Sequence, residues 1–145
     1  MGLAALILWL LTAVGGFVML GIWIAKGGAR RPGDTQLPPP ALFGHFLLAA
    51  IGLIVWIVYL VVGGALSWVA FVLLVPVALL GFLMLTRWIP VYRSRTTTTR
   101  ANAAGATDDG PAERHFPAAL VAGHGLLAVV TVVLVLLTAL GVGGN

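Results

Sequence analysis

Long apolar stretches separated by short polar segments make up most of this chain. Crossing the apolar core of a bilayer, which is about 30 Å thick, takes about 20 helical residues. Four stretches are long enough, so we predict transmembrane helices over residues 3–25, 41–62, 67–89 and 116–140. The pattern predicts an all-α membrane protein, a single domain built as an up-down bundle of four helices.

Composition supports a membrane protein over a soluble one. Only 8% of the 145 residues are charged and 61% are hydrophobic, whereas a soluble domain carries roughly 25% charged residues. Every charged side chain lies within residues 26–34 or 87–114. These short polar windows exclude a large extramembrane catalytic domain. The absence of cysteine excludes disulfides, thiolate metal sites and iron–sulfur clusters.

Basic residues predict the orientation of the bundle. All eight lie in the connections between helices 1 and 2 and between helices 3 and 4, including the adjoining helix ends. By the positive-inside rule, both connections face the cytoplasm and both termini face outward. The basic residues flank apolar segments, so the net charge of +4 indicates topology rather than nucleic-acid binding. We expect a bacterial plasma membrane protein, with a flexible cytoplasmic loop over residues 90–115 and an interfacial belt comprising Trp23, Trp88, Trp68 and Tyr59.

An internal repeat relates the two halves of the chain. Residues 16–24 and 81–89 are identical at six of nine positions, and residues 44–49 and 123–128 at five of six. Matches of Gly, His, Met and Trp in the same order are far more informative than matches of Leu or Val. The repeat predicts two tandem helical hairpins related by a pseudo-two-fold axis along the membrane normal.

The repeat also places His45 and His124 at equivalent positions on helices 2 and 4. An ionisable residue inside a membrane indicates a functional site, and here the symmetry identifies each histidine as the other's partner. Helices 2 and 4 are diagonal in an up-down bundle, with axes roughly 11–14 Å apart. Two imidazoles reaching inward across that distance leave room for one metal ion, as in axial ligation of a haem iron. We therefore predict His45 and His124 as metal ligands.

Small residues on the same helix faces predict space for a porphyrin. The candidates four and seven residues after each histidine are Ala49, Gly52, Ala128 and Thr131. On the flanking helices, glycines would let a flat ring approach the backbone, methionines would pack on its edge, and an arginine would pair with propionates. These residues are Gly16, Gly81, Met19, Met84 and Arg87.

The arrangement resembles membrane cytochromes of the b type. In those proteins, histidines on the second and fourth helices of a bundle ligate haem, and glycines on the first and third helices let it pack. The resemblance covers the four-helix core and depends on His45, His124, Gly16 and Gly81. It implies one bis-histidine haem b per chain and electron exchange with a quinone or a redox partner protein. Larger members hold two haems, whereas this chain has no second histidine pair.

Two other functions stay open at this point. Imidazole and thioether ligands suit Cu(I), so His45 and His124 with Met19 and Met84 also predict a copper-handling site. Alternatively, the chain is a structural or transporter subunit without a cofactor, and the repeat reflects packing alone. The sequence leaves homo-oligomerisation open. Neither histidine is followed or preceded by a carboxylate or thiol that would form a nucleophile–base pair, so the pattern argues against a hydrolase.

Overall fold

Four long helices account for most of the residues that the structure describes. The computed structural model describes residues 1–30, 35–101 and 110–142. The helices are α1 (Gly2–Ala25), α2 (Pro39–Val62), α3 (Leu66–Ala101) and α4 (Ala118–Ala139), and a short 3-10 helix, η1 (Ala112–His115), precedes α4. The chain is 84% helical and has no strand among its described residues. The predicted all-α fold is confirmed.

Each main helix contains a segment long and apolar enough to cross a membrane. These segments have mean hydropathies of 2.4 to 2.7. Prolines occupy the start of α2, where the missing N–H costs no hydrogen bond. Between α2 and α3, Gly63 and Gly64 have φ angles of 74° and 73°, a region that suits glycine. The multi-pass membrane architecture is therefore confirmed.

The helices are arranged in a ring in the order α1, α4, α3, α2. α2 packs mainly on α3 and α1 mainly on α4, whereas α2 and α4 make no close backbone contact in the described residues. The predicted diagonal placement of α2 and α4 is correct. The most extensive packing joins helices of different repeats, so the two hairpins are held together by their mutual contacts.

Two clusters of buried side chains form the interior. The central cluster consists of Ala5, Trp9, Trp56, Ala70, Leu74, Val77 and Val135. The second, here called the basic-end cluster, lies at the end of the bundle that carries the basic residues and consists of Trp23, Leu37, Leu42, Trp88, Ala112 and Phe116. On α2, Leu42 belongs to the basic-end cluster and Ala49 packs against the central cluster. The histidine position at residue 45 therefore lies between the two clusters.

The segment between α3 and α4 differs from the flexible loop predicted over 90–115. α3 continues to Ala101 and passes through Pro90, and η1 packs on the bundle with Ala112 and Glu113 almost completely buried. The middle of that loop, residues 102–109, lies outside the described residues. The predicted loop is thus wrong at both of its ends.

Two of the four predicted interfacial aromatic residues are instead buried. Trp23 is 0% exposed and Trp88 is 8% exposed, because the two connections at the basic end fold over them. The Trp23 indole N–H donates to Thr35 Oγ1, and that of Trp88 donates to the carbonyl oxygen of Glu113. Trp68, at the opposite end, is 42% exposed, as a residue in an interfacial belt would be.

Candidate functional site

The two intramembrane histidines make equivalent backbone hydrogen bonds. His45 Nδ1 lies 2.9 Å from the carbonyl oxygen of Val77 on α3, and His124 Nδ1 lies 2.9 Å from the carbonyl oxygen of Thr12 on α1. A carbonyl oxygen can only accept, so Nδ1–H is the donor in both bonds. In the neutral imidazole the lone pair is then on Nε2, the state of a histidine ready to bind a metal.

These bonds follow the internal repeat. Thr12 and Val77 are separated by 65 residues, the same offset that relates the matching segments of α1 and α3. Each histidine is therefore oriented by a helix of the other repeat. In metal-binding histidines, the ring N–H that does not face the metal typically donates a hydrogen bond, which fixes the tautomer and the ring plane.

The glycines on α1 and α3 make these hydrogen bonds possible. A Cβ placed on Gly16 would lie 3.3 Å from His124 Cε1, and one placed on Gly81 would lie 3.3 Å from His45 Cε1. A helical side chain covers the turn that precedes its own Cα. Glycine four residues after Thr12 or Val77 therefore leaves that carbonyl open to the imidazole. The sequence predicted that a porphyrin ring would pack against these glycines, and in the structure the imidazole rings pack against them.

The two imidazoles face each other across the bundle. Their ring centroids are 6.3 Å apart and their planes are tilted by 51°. A metal about 2.0–2.1 Å from each ligating nitrogen, which is itself about 1.1 Å from the ring centre, would separate two opposed centroids by about 6.3 Å. Rotation about the metal–nitrogen bonds leaves this separation unchanged, so the tilt is compatible with a shared metal. The donor set and the centroid separation are therefore compatible with one metal ion held between the two imidazoles.

In the described part of the chain the candidate site offers two imidazoles as potential metal ligands. No group of three or more His, Cys, Asp or Glu residues that could hold a metal is found there. A two-imidazole site suits an ion whose other ligands come with a prosthetic group, as in haem, or an ion of low coordination number. It does not suit Mg²⁺ or Ca²⁺, which prefer several oxygen ligands.

The four small residues predicted to form a slot for a porphyrin lie in surroundings that differ from one residue to the next. The space beside Gly52 is taken by Trp9, since a Cβ at Gly52 would lie 3.1 Å from Trp9 Cζ2. Ala49 packs against the central cluster. Thr131 is buried and its hydroxyl donates to the carbonyl of Leu127 on its own helix. Ala128 is half-buried on α4.

The methionines and Arg87 lie toward the basic end. Met19 and Met84 both pack against the basic-end cluster. Arg87 is exposed on α3 and lines a groove with residues of both connections at that end. The structure thus brings His45, His124, Gly16 and Gly81 together in one site, and places Met19, Met84 and Arg87 beside it at the basic end.

One asymmetry beside the site was not found from the sequence. Phe46 follows His45 and packs edge to face on Phe17, with ring centroids 5.4 Å apart. At the equivalent place after His124 the chain has Gly125, and Phe82, the counterpart of Phe17, is 66% exposed. Phe46 and Gly125 are the single mismatch between residues 44–49 and 123–128, so the sequence did contain a signal of this difference. The aromatic pair is therefore present at only one of the two positions that the repeat makes equivalent.

Comparisons with protein-family models, with curated proteins and with solved structures give no match to this chain.

Proposed function

We propose that this protein binds one haem b between His45 and His124 and serves as a membrane electron carrier or accessory subunit. The observation that carries the proposal is the facing pair of imidazoles, each with Nδ1–H donated to a helix carbonyl and centroids 6.3 Å apart. Haem b, when bound, supplies one-electron exchange at its iron.

The residues of the chain would perform three tasks in this function. His45 and His124 would hold the haem iron. The carbonyls of Val77 and Thr12 hold the imidazoles in the ligating tautomer and raise their basicity. The surrounding apolar helices limit access of water, which affects the reduction potential of a buried redox centre.

The position of the pair favours electron exchange on one side of the membrane. From His45 to Gly63 at the other end of α2 is 18 residues, or about 27 Å of helix. A single haem near the basic end is therefore too far from the opposite face to carry electrons across alone. We propose that the basic end faces the bacterial cytoplasm, with both termini outside, and that a quinone or a redox partner protein exchanges electrons on the cytoplasmic half.

Replacing each ligand tests the proposal. We expect the purified protein to show a reduced-minus-oxidised spectrum of a low-spin b-type haem, with about one haem per chain in a pyridine haemochrome assay. His45→Ala and His124→Ala should each abolish the low-spin spectrum, because one imidazole cannot fill both axial positions. His115→Ala is the matched control, since His115 lies on η1 outside the apolar helices, and it should retain the spectrum.

Two results would contradict the haem assignment. Retention of the low-spin spectrum in either ligand variant would exclude that histidine as an axial ligand. Protein without haem from cells supplied with a haem precursor, but with stoichiometric copper, would favour the Cu(I) alternative, because imidazoles also suit copper. Protein with neither would favour the cofactor-free structural or transporter subunit.

A further inference from the structure

A groove at the basic end has the features of a ligand site separate from the histidine pair. Its first wall is α3 from Thr86 to Ser94, and its other walls are Gln36 from the first connection and Pro111 from the segment before η1. The groove has a volume of about 550 Å³ and is open along one side.

Arg87 supplies an available positive charge in this groove. Its guanidinium makes no hydrogen bond or ion pair with the side chains and backbone that the structure describes. The hydroxyl of Thr86, by contrast, donates to the carbonyl of Leu83 on its own helix. The main donor toward a ligand is therefore Arg87, whose planar fork matches the oxygens of a phosphate.

A buried carboxylate fixes the walls of the groove. Glu113 is 0% exposed and its side chain accepts hydrogen bonds from Thr35 Oγ1, at 2.8 Å, and from the backbone N–H of Gln36. Its carbonyl oxygen accepts from the Trp88 indole of α3. Glu113 thus joins the segment between α1 and α2 to α3 and η1. The three walls of the groove are therefore held together before any ligand binds.

The position and lining of the groove identify the ligand class. Arg87 precedes Trp88 near the end of the apolar part of α3, the level at which lipid headgroups lie. Pro90 and Val91 add apolar surface to the same groove, which acyl chains can cover and a free phosphate cannot. Basic pockets beside transmembrane helices on the cytoplasmic side are typical sites for anionic lipid headgroups. We infer that this groove binds the headgroup of an anionic phospholipid, with its phosphate on Arg87.

Lipid titration followed by native mass spectrometry tests this inference. Detergent-solubilised protein, purified without haem loading, is titrated with phosphatidylglycerol and with phosphatidylcholine of the same acyl chains. We expect the protein to bind its first phosphatidylglycerol molecule more tightly than phosphatidylcholine. In Arg87→Gln the affinity for phosphatidylglycerol should fall about fivefold, because one basic residue contributes about that much to binding an anionic lipid. Arg87→Lys, which keeps the charge, should lose less.

The matched control is Arg30→Gln. Arg30 is also exposed at the basic end but does not line the groove, so its variant should bind phosphatidylglycerol as the parent does. Equal loss in both arginine variants would indicate general charge attraction and overturn the site. Displacement of phosphatidylglycerol by millimolar glycerol phosphate would overturn the lipid in favour of a soluble phosphate. Because no haem is present, none of these outcomes depends on the proposed function.

Discussion

At the scale of single residues, two glycines define the geometry of the candidate site. A carbonyl within an α-helix is ordinarily covered by the side chain four residues later, and at Gly16 and Gly81 that cover is missing. Each histidine uses the opening to donate Nδ1–H to the carbonyl beneath it. The four residues therefore act as two identical units, in which a glycine on one helix orients an imidazole on its neighbour.

This relation predicts the effect of adding one methyl group. In Gly81→Ala the new Cβ lies 3.3 Å from His45 Cε1, so the imidazole must move and its bond to Val77 lengthens. Losing an outer hydrogen bond of this kind typically costs about 10–100-fold in metal affinity, so the lengthened bond should lower haem affinity by at most about 10-fold. The matched control is Gly21→Ala, because a Cβ at Gly21 would meet nothing within 4 Å.

Imidazole ¹⁵N NMR checks the same prediction without a cofactor. In the parent protein both half-buried rings should show the Nδ1–H tautomer, and Gly81→Ala should shift the His45 signals while those of His124 stay in place. Gly16→Ala should do the reverse. Equal shifts of both histidines in either variant would contradict the pairing of each glycine with a single imidazole.

At the scale of elements, η1 closes the basic end of the bundle. Its Glu113 carboxylate is fully buried and receives hydrogen bonds from Thr35 and Gln36, while Trp23 and Trp88 lie in the cluster beneath. A buried charge is tolerated when its hydrogen bonds are satisfied, and no buried side-chain polar atom of the described residues lacks a partner. Glu113 therefore joins η1 to Thr35 and Gln36 of the first connection and to Trp88 of α3.

Removing this carboxylate should loosen the basic end. Glu113→Ala removes the side-chain acceptor of the Thr35 hydroxyl and of the Gln36 N–H, and each lost hydrogen bond typically costs about 0.5–1.5 kcal/mol. We expect a lower thermal unfolding temperature in detergent and red-shifted fluorescence as water reaches Trp23 and Trp88. Glu113→Gln retains an acceptor oxygen and should lose less stability. An unchanged unfolding temperature in Glu113→Ala would show that η1 is held by its apolar contacts alone.

The elements also show what could be predicted from the sequence. The helices were predictable because a 20-residue apolar stretch has no other stable form in a bilayer, and the histidine pair was predictable because the repeat places both residues at one depth. The burial of Glu113 was not, since it depends on hydrogen bonds to a segment 77 and 78 residues away. The same contacts cover Trp23 and Trp88, which the local sequence assigned to the lipid interface.

At the scale of the whole molecule, the two repeats complete each other. The His45 unit takes its carbonyl and glycine from the second repeat, and the His124 unit takes them from the first. A contact in which each copy offers the other the same surface is isologous, as between the subunits of a symmetric dimer. One hairpin alone therefore contains neither complete unit, and the candidate site exists only when both repeats are assembled.

The placement of this assembly across the membrane gives the last prediction. Both helix connections with basic residues lie at one end, and the uncharged turn at Gly63 and Gly64 lies at the other, so the basic end should face the cytoplasm. The chain has no cysteine, so single cysteines can be introduced for labelling. Ala29, after α1, and Ala65, before α3, are both exposed and lie at opposite ends of the bundle. In intact cells, a membrane-impermeant maleimide should label Ala65→Cys, whereas Ala29→Cys should react only after permeabilisation. The reverse result would place Arg87 and its groove on the outer face, and would move the proposed electron exchange to that side.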